Sequence, residues 1–369
     1  PNKYLMLSAG QFISSKGHCE SFGIGGDGYI PAEGVGAVLL KGLEQAEHDG
    51  DQIYGVIKGL GNSSDGKGSS VYAAVPEGQA VCMQRAYENA GYGPESVELL
   101  EAHGTATKAG DAAEFQGLRH VFEEEQQKNY CALGSVKSNI GHTKASAGIA
   151  GLIKAVMALQ HKTFPPTIKV EKPSQKLDVA NSAFYLNTET RPWVRGESHP
   201  RRASISSFGF GGTNFHVTLE EYVPSNKKLS ARRKRTLSSE LYLFSANDKS
   251  ALIKPVFSDN APTSGTYEAA ENRFRFSIAQ SHNKFNAAHH FRLAVVAKDK
   301  DELDTKLSLA FERISETPET SFSLPNGISY GCGSEKGKIG FLFSGQGSQY
   351  VNMGSDLAMN FEAAMRPWD

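Results

Sequence analysis

Two histidines and one lysine stand in short stretches of small and polar residues. His103 lies in EAHGTAT and His142 in NIGHTKAS, and Lys137 comes five residues before His142. Glycine and small polar residues let the backbone approach a ligand and leave N–H groups free to point at it. A neutral histidine can donate an N–H to a carbonyl or thioester oxygen, so two histidines converging on one oxygen would form an oxyanion site. The other interpretation is that each histidine is structural.

The surroundings of His142 and Lys137 suggest their charge states. His142 comes just before an apolar helix predicted over residues 144–161, and the dipole of that helix disfavours a charged imidazole. Lys137 ends a strand-like run and would be partly buried, so it needs a counter-charge, which Glu114 could supply. The alternative is that Lys137 is a surface cation at the end of a strand.

Three further side chains could contact a ligand. Thr105 and Thr107 are spaced to point the same way from an extended turn, where they could bond amide groups, or one could cap the next helix. Phe210 stands between glycines in GFGGTN, which suits a mobile aromatic gate. A hairpin with an aromatic plug is the alternative for Phe210.

Elements that would position these residues alternate between strands and helices. Each histidine turn follows a predicted strand, VELLEAHG or ALGSVKSNIGH, and strand, glycine turn and strand follow over 203–222. Helices are predicted over Glu77–Ala90, Asp111–Glu125 and 144–161, the last buried on most sides between sheets. VGAVLLK is predicted to be a buried strand. The pattern indicates an α/β layered domain.

The chain changes composition after residue 222. Residues 223–240 are polar and basic and are interpreted as a solvated linker. A small α/β module follows, with strand FRLAVVA, a helix capped by Asp301 and a Ser/Pro/Gly-rich loop to Lys336. From residue 338 the pattern indicates a buried strand, a glycine turn and a helix.

Composition limits the function classes. The net charge is −1 with 39% apolar and 21% charged residues, so neither a nucleic-acid surface nor a membrane surface is indicated, and no apolar run is long enough for a membrane span. Four scattered cysteines without a CxxC pair are expected to be buried reduced thiols in a cytoplasmic protein, and no metal site is expected. Because the chain starts at Pro1 and ends at Asp369, we expect a segment of a longer polypeptide.

Together, EAHGTATKAGDAAE, SVKSNIGHTKASAGIAGLIKAVMAL and SSFGFGGTNFH resemble the β-ketoacyl synthase domain of polyketide and fatty-acid synthases. The resemblance implies the C-terminal part of a thiolase-like αβαβα domain over residues 1–222. It further implies a linker module between ketosynthase and acyltransferase over 223–337, and the first strand, turn and helix of an acyltransferase over 338–369. The residues of the third motif are similar to those of polyunsaturated-fatty-acid synthases and related iterative polyketide synthases.

The resemblance also implies roles for single residues. His103 and His142 would be the catalytic histidines, with Lys137 as the electrostatic lysine of the site beside Glu114. Thr105 and Thr107 would contact the phosphopantetheine arm of an acyl carrier protein. Phe210, with Gly209, Gly211 and Gly212, would form the gate of the pocket. Gln346 would be the oxyanion-hole glutamine of the acyltransferase. Ala106 stands where the family usually has glycine.

The implied activity is decarboxylative Claisen condensation of an enzyme-bound acyl thioester with a malonyl thioester on acyl carrier protein. No cofactor would be bound directly, and a homodimer through the ketosynthase is implied. The family's nucleophilic cysteine belongs to an upstream motif that these 369 residues do not contain, so this segment alone is expected to be inactive. The alternatives are a catalytically silent or decarboxylase-only ketosynthase acting as a scaffold, and thiolase-type condensation on coenzyme A thioesters.

Overall fold

The computed structural model describes residues 2–67, 70–122, 127–196, 198–224, 237–253, 267–333 and 340–369. The chain divides into two compact units. The first comprises Pro1–Arg235 with Asn352–Asp369, and the second comprises Thr236–Val351. Most of the predicted linker, residues 225–236, lies outside the described residues.

Helices and strands of the first unit follow one another in an α/β order. They are α1 (Asn2–Ala9), α2 (Leu43–Asp49), β1 (Val56–Ser64), α3 (Pro76–Ala90), β2 (Leu99–Glu101), α4 (Lys108–Phe122), β3 (Cys131–Gly134), α5 (Lys137–Ile140), α6 (Ala147–His161), β4 (Thr163–Phe164), β5 (Phe184–Leu186), β6 (Arg191–Pro192), β7 (Arg202–Gly209) and β8 (Thr213–Glu220). The predicted helix over Glu77–Ala90 is therefore present, and it ends on Gly91 in the left-handed conformation.

One six-stranded sheet organises this unit, in the order β1-β8-β7-β2-β3-β5. β2, β3, β5 and β7 pair in parallel, while β8 pairs antiparallel with β7 and β1. Glu101 at the end of β2 is in register with Gly134 at the end of β3. The turns that follow the two strands therefore leave the same edge of the sheet, which is where open α/β sheets bind ligands.

The sheet separates two apolar clusters. Leu100 of β2 packs with α3 and α4, through residues such as Met83 and Phe115, whereas Leu99 packs with α6 through Ala155. Successive residues of a strand point to opposite faces, which explains this division. α3 lies very close to β1 because Gly61 has no side chain: a Cβ there would stand 1.9 Å from the Cys82 carbonyl oxygen.

Two expectations about burial in this unit are wrong. VGAVLLK forms no strand, and Leu39 within it is 96% exposed, because no strand of the described chain hydrogen-bonds to it. α6 packs on the sheet through only one face, which carries Gly151, Ala155 and Leu159. Its other face is partly open, with Ile153 and Met157 exposed, because nothing in the described chain forms a second layer over it.

The second unit is a small α/β module. Its elements are β9 (Glu240–Ala246), α7 (Lys249–Ile253), α8 (Tyr267–Lys284), β10 (Phe291–Ala297), α9 (Lys300–Glu316), β11 (Phe322–Leu324) and β12 (Ile328–Cys332). The sheet order is β11-β12-β10-β9, and every pair is antiparallel. Strand FRLAVVA and the helix after it are as predicted. The stretch predicted as a Ser/Pro/Gly-rich loop contains the β11–β12 hairpin instead.

The cap of α9 differs from the prediction. Asp299, not Asp301, is the N-cap, and its Oδ1 accepts the N–H of Glu302 at 2.9 Å. Asp301 already lies inside the first turn, so its carboxylate contributes only to the helix dipole.

Replacing Asp299 by alanine is expected to lower the free energy of unfolding of the second unit by about 1 kcal/mol, since an orphan N–H loses its acceptor. Urea unfolding of the whole chain, followed by circular dichroism, measures the loss. Asp301→Ala is the matched control and should cost only a few tenths of a kcal/mol. Equal losses in the two variants would contradict the assignment of the cap.

The predicted buried strand at FLFS is also wrong. Residues 340–345 form no strand, and Phe341, Leu342 and Phe343 are exposed, because no described strand pairs with them. Gln346 lies in a turn after this stretch. The chain then rejoins the first unit through α10 (Ser355–Asn360) and α11 (Glu362–Met365).

Candidate active site

His103 leaves the sheet in the turn after β2, and hydrogen bonds to α4 and β7 hold this turn in place. Its own N–H and that of Gly104 donate to the two oxygens of Glu114 on α4, both at 2.7 Å. Its ring Nδ1 accepts the N–H of Phe208 on β7 at 3.3 Å. With Nδ1 an acceptor in the neutral ring, the proton is on Nε2.

His142 is held in a similar way. Its backbone N–H donates to the Ile30 carbonyl oxygen at 2.8 Å, and its carbonyl oxygen accepts the N–H of Ala32. Its Nδ1 accepts the N–H of Lys144 at 3.2 Å, so Nε2 is again the protonated nitrogen. The His142 ring makes an edge contact with the Tyr29 ring. The Lys144 ammonium lies 3.8 Å from the centroid of the Tyr29 ring.

The fold brings the two imidazoles together. Their ring centroids lie 5.6 Å apart with an angle of 85° between the ring planes. In each ring a backbone N–H occupies Nδ1, which leaves two Nε2–H donors on neighbouring groups. This is the donor set that an oxyanion site requires.

Both histidines are neutral over the physiological range. Burial lowers the pKa of His103 well below its usual value, and the positive charge of Lys137 adds to the effect. The pKa of His142 falls to about 3, first through burial and then through Lys137 and Lys144. Burial and two lysines therefore account for the neutral His142, and a 3₁₀ turn over Lys144–Ser146 connects it to α6.

Lys137 is not a surface cation. It is the first residue of α5 and is buried, which lowers the pKa of its ammonium, while the charges of Glu101 and then Glu114 oppose that effect. Glu114 acts on Lys137 through its charge, because its oxygens are bonded to the backbone of the His103 turn. Sequence reasoning missed Glu101, which exerts the larger effect on Lys137.

A second buried carboxylate supports the same turn. Asp111 on α4 accepts the N–H groups of Phe22 at 2.6 Å and Ala106 at 3.0 Å. Burial raises the pKa of Asp111 to about 8 and that of Glu114 to about 7, although these N–H donors and Lys137 act in the opposite direction. Asp111, in the first turn of α4, is thus part of the framework under the histidines.

The threonine turn shows the capping interpretation, while contact of its hydroxyls with a ligand stays a prediction. Thr107 Oγ1 accepts the N–H of Gly110 at 3.2 Å and so caps α4. It also lies 2.9 Å from Thr105 Oγ1, so the two hydroxyls do point the same way. Ala106 between them has φ 59°, a left-handed conformation that glycine adopts without strain.

Phe210 stands at the tip of the β7–β8 hairpin and is half exposed. Its ring lies 5.2 Å from that of Phe12 and 5.1 Å from that of Tyr72, centroid to centroid. Gly211 and Gly212 have φ 87° and 77°, so the turn needs glycine at both positions. No local pattern pointed to Phe12 and Tyr72, because they are distant from Phe210 in sequence.

Three of the four cysteines are buried as expected, and Cys332 is not. Cys19, Cys82 and Cys131 are buried, and burial raises the pKa of each thiol. Cys332 is partly exposed in the second unit. None of the three buried thiols has the lowered pKa of an activated nucleophile.

Within the described residues, no cluster of three or more His, Cys, Asp or Glu side chains could hold a metal ion. The helices described include none with the length and apolarity needed to cross a membrane.

Comparison with known families decides what this arrangement belongs to. Residues 54–171 match the family model for the β-ketoacyl synthase C-terminal domain, residues 1–46 that for the N-terminal domain, and residues 173–296 that for the ketoacyl-synthetase C-terminal extension. The chain belongs to the β-ketoacyl synthase family. The thiolase-like α/β fold implied by the three sequence motifs is confirmed.

Similar proteins extend this result. The ketosynthase segment is 42% identical over 253 residues to the polyketide synthase PksL of Bacillus subtilis, an alignment covering 68% of this chain and 6% of that protein. It is 36% identical over 350 residues to one of the polyunsaturated fatty acid synthase proteins of Thraustochytrium sp., covering 90% of this chain and 12% of that protein. The chain thus spans a small part of these relatives.

Solved structures give the same family. The ketosynthase from module 6 of the bacillaene synthase of Bacillus subtilis 168 matches with a TM-score of 0.60 and 34% identity. The match covers 89% of this chain and 54% of that one, so the segment corresponds to about half of a solved ketosynthase chain.

Proposed function

We propose that this ketosynthase segment supplies the histidine and lysine half of an active site for decarboxylative Claisen condensation within a multidomain polyketide or polyunsaturated-fatty-acid synthase. The observation that carries the proposal is the pair of neutral imidazoles, each with Nδ1 occupied by a backbone N–H and Nε2–H left as a donor. Family membership and the multidomain relatives support the same assignment.

The reaction uses these donors at two points. The malonyl thioester loses CO₂, and the electron pair of the broken C–C bond forms an enolate, whose oxygen the Nε2–H groups stabilise. The enolate carbon then attacks the acyl thioester, and the tetrahedral intermediate expels a cysteine thiolate and leaves a β-ketoacyl thioester on the carrier protein. We assign the acyl-bearing cysteine to sequence outside residues 1–369, since burial raises the pKa of Cys19, Cys82 and Cys131 and none of the four cysteines stands in the nucleophile motif of the family.

Other roles follow for the entrance to the site. We assign contacts with the phosphopantetheine arm to Thr105 and Thr107, whose neighbouring hydroxyls lie in the turn between His103 and α4. Phe210 is assigned as the gate, since it is half exposed on a glycine turn and its ring contacts are aromatic. In this proposal the partner is an acyl carrier protein, whose phosphopantetheine arm carries the malonyl thioester.

Further expectations from the sequence stay predictions. They are the homodimer, the cytoplasmic location, the three domain boundaries, the inactivity of residues 1–369 alone, and the acyltransferase role of Gln346, which is exposed in its turn.

A reconstituted condensation assay tests the proposed function. The full-length protein, loaded with an acyl group, is mixed with malonyl acyl carrier protein, and mass spectrometry follows the carrier while released CO₂ is measured. We expect a β-ketoacyl carrier protein and one CO₂ per condensation. Release of CO₂ without a β-ketoacyl carrier protein would indicate a decarboxylase-only domain. Condensation with acetyl coenzyme A, without release of CO₂, would indicate thiolase chemistry. The absence of both CO₂ and condensation product would indicate a silent scaffold.

A further inference from the structure

Glu101 is a buried carboxylate that the condensation mechanism above does not use. It is the last residue of β2 and is 2% exposed. Its Oε1 accepts the N–H of Val136, and its Oε2 lies 2.8 Å from the Nζ of Lys154 on α6. The helix can approach this closely because Gly151 faces the carboxylate, where a Cβ would already stand 3.2 Å from the Cγ of Glu101.

The ion pair between Glu101 and Lys154 belongs to the backbone segments that carry the proposed catalytic residues. Glu101 comes two residues before His103, Val136 comes directly before Lys137, and Lys154 belongs to the helix that follows the His142 turn. One carboxylate therefore connects the three backbone segments that carry the two histidines and the lysine.

Charge gives the pair a second effect. The groups that interact electrostatically with the Lys137 ammonium are Glu101 of β2, Asp111 and Glu114 of α4, Cys19 of the N-terminal loop, and the two histidines. Among the charges that hold the pKa of Lys137 up against burial, Glu101 has the largest effect. One buried carboxylate thus acts on two lysines, on Lys154 through an ion pair and on Lys137 through its charge.

We propose that Glu101 and Lys154 are a positioning pair for this active site: Lys154 holds the Glu101 carboxylate, which in turn holds the turn that carries Lys137 in place and supplies a buried negative charge to the site. The inference rests on the proposed function, because the charged Lys137 would favour the anionic enolate and tetrahedral intermediate. Neither residue touches the substrate in this assignment.

The two members of the pair should have different pH signatures in the full-length protein. Glu101→Gln removes the largest counter-charge, so the pKa of Lys137 falls further and the alkaline limb of the kcat profile moves to lower pH by about one unit or more. In Lys154→Met the charge of Glu101 acts on Lys137 alone, so the alkaline limb of the kcat profile stays in place or moves to higher pH. A merely structural role would lower kcat equally at every pH.

Thermal unfolding of the same proteins gives a readout that does not depend on activity. A folded-state pKa of Lys137 below the unfolded value costs stability at neutral pH, and this cost disappears as pH rises toward the unfolded pKa of about 10.4. The deficit in Tm of Glu101→Gln relative to the wild type should therefore shrink between about pH 7 and about pH 9.5. Glu220→Gln, which removes the partly buried carboxylate paired with Arg202, is the control and should show a constant deficit, because the remaining arginine does not titrate in this pH range.

Either of two results overturns the proposal: an alkaline limb that Glu101→Gln leaves in place, or a Tm deficit of Glu101→Gln that is as independent of pH as that of the control. If the wild-type protein fails to condense acyl groups, the proposed function fails, and the unfolding series still decides whether Glu101 and Lys154 set the charge of Lys137.

Discussion

Replacing His142 by alanine in the full-length protein is expected to abolish condensation, with kcat falling by about 10³-fold or more, while the fold is retained. The ring supplies one of two neighbouring Nε2–H donors, and removal of a single oxyanion donor typically costs about 10²–10³ in kcat. Because enolate formation and carbon–carbon bond formation both develop charge on oxygen, the two steps should both be slowed. Mass spectrometry of the carrier protein measures the loss.

Partial reactions make the His142 test sharper. Loading of the acyl group onto the enzyme does not require the enolate, so the His142→Ala protein should still form the acyl-enzyme, and its far-UV circular dichroism should match the wild type. His48→Ala, an exposed histidine of α2, is the control and should leave kcat unchanged. A His142→Ala variant with kcat within about tenfold of the wild type would show that the ring is not an oxyanion donor.

Replacing Lys137 by methionine is expected to lower both stability and activity, and to change the pH profile. The substitution leaves Glu101 and Glu114 buried with less compensating charge, for which a loss of about 3 kcal/mol in the free energy of unfolding is the scale. The charge of Lys137 lowers the pKa of both histidines, so its removal raises them toward the usual value. A protonated histidine keeps its Nε2–H donor but also carries a proton on Nδ1. That proton repels the backbone N–H that Nδ1 accepts in the neutral ring, so the ring loses the hydrogen bond that holds it in place.

The direction of the pH effect follows from these shifts. In the wild type the pKa of His142 is about 3, so activity should not fall on the acid side of neutrality through this ring. In Lys137→Met the acid limb should move upward from this low value, so that the deficit relative to the wild type grows as the pH falls. The profile of kcat against pH measures this shift.

Two controls separate charge from packing at Lys137. Lys137→Arg keeps the positive charge and should recover the wild-type acid limb even if kcat is lower. Lys58→Met removes a partly exposed lysine of β1 whose distance to Glu220 is 4.0 Å, and it should change neither stability nor the profile measurably. An acid limb of Lys137→Met that coincides with the wild type would contradict an electrostatic role for this lysine.

Local patterns were sufficient for the elements that carry the site. The strand before each histidine, the glycine-terminated helix over Glu77–Ala90 and the β7–β8 hairpin could all be predicted, because periodicity and turn residues act over a few positions. The motifs around His103, His142 and Phe210 were also sufficient to identify the family, which the comparison with family models then confirmed.

Several assignments failed where a partner distant in sequence decides the outcome. VGAVLLK and FLFS have the composition of buried strands, yet neither has a strand beside it in the described chain, and a strand exists only through its neighbour's hydrogen bonds. The cap of α9 was misplaced by two residues, because an aspartate at either position satisfies the same sequence pattern.

By itself, the sequence determined which residue types stand in the turns after β2 and β3, and so which chemistry the site can perform. Only the tertiary structure decided how they act. The Nδ1 of His103 is occupied by an amide 105 positions away on β7, and the chief counter-charge of Lys137 is Glu101 on the neighbouring strand rather than Glu114 alone. Such contacts arise from strand order and register, so no local spacing encodes which ring nitrogen carries the proton or which carboxylate faces the lysine.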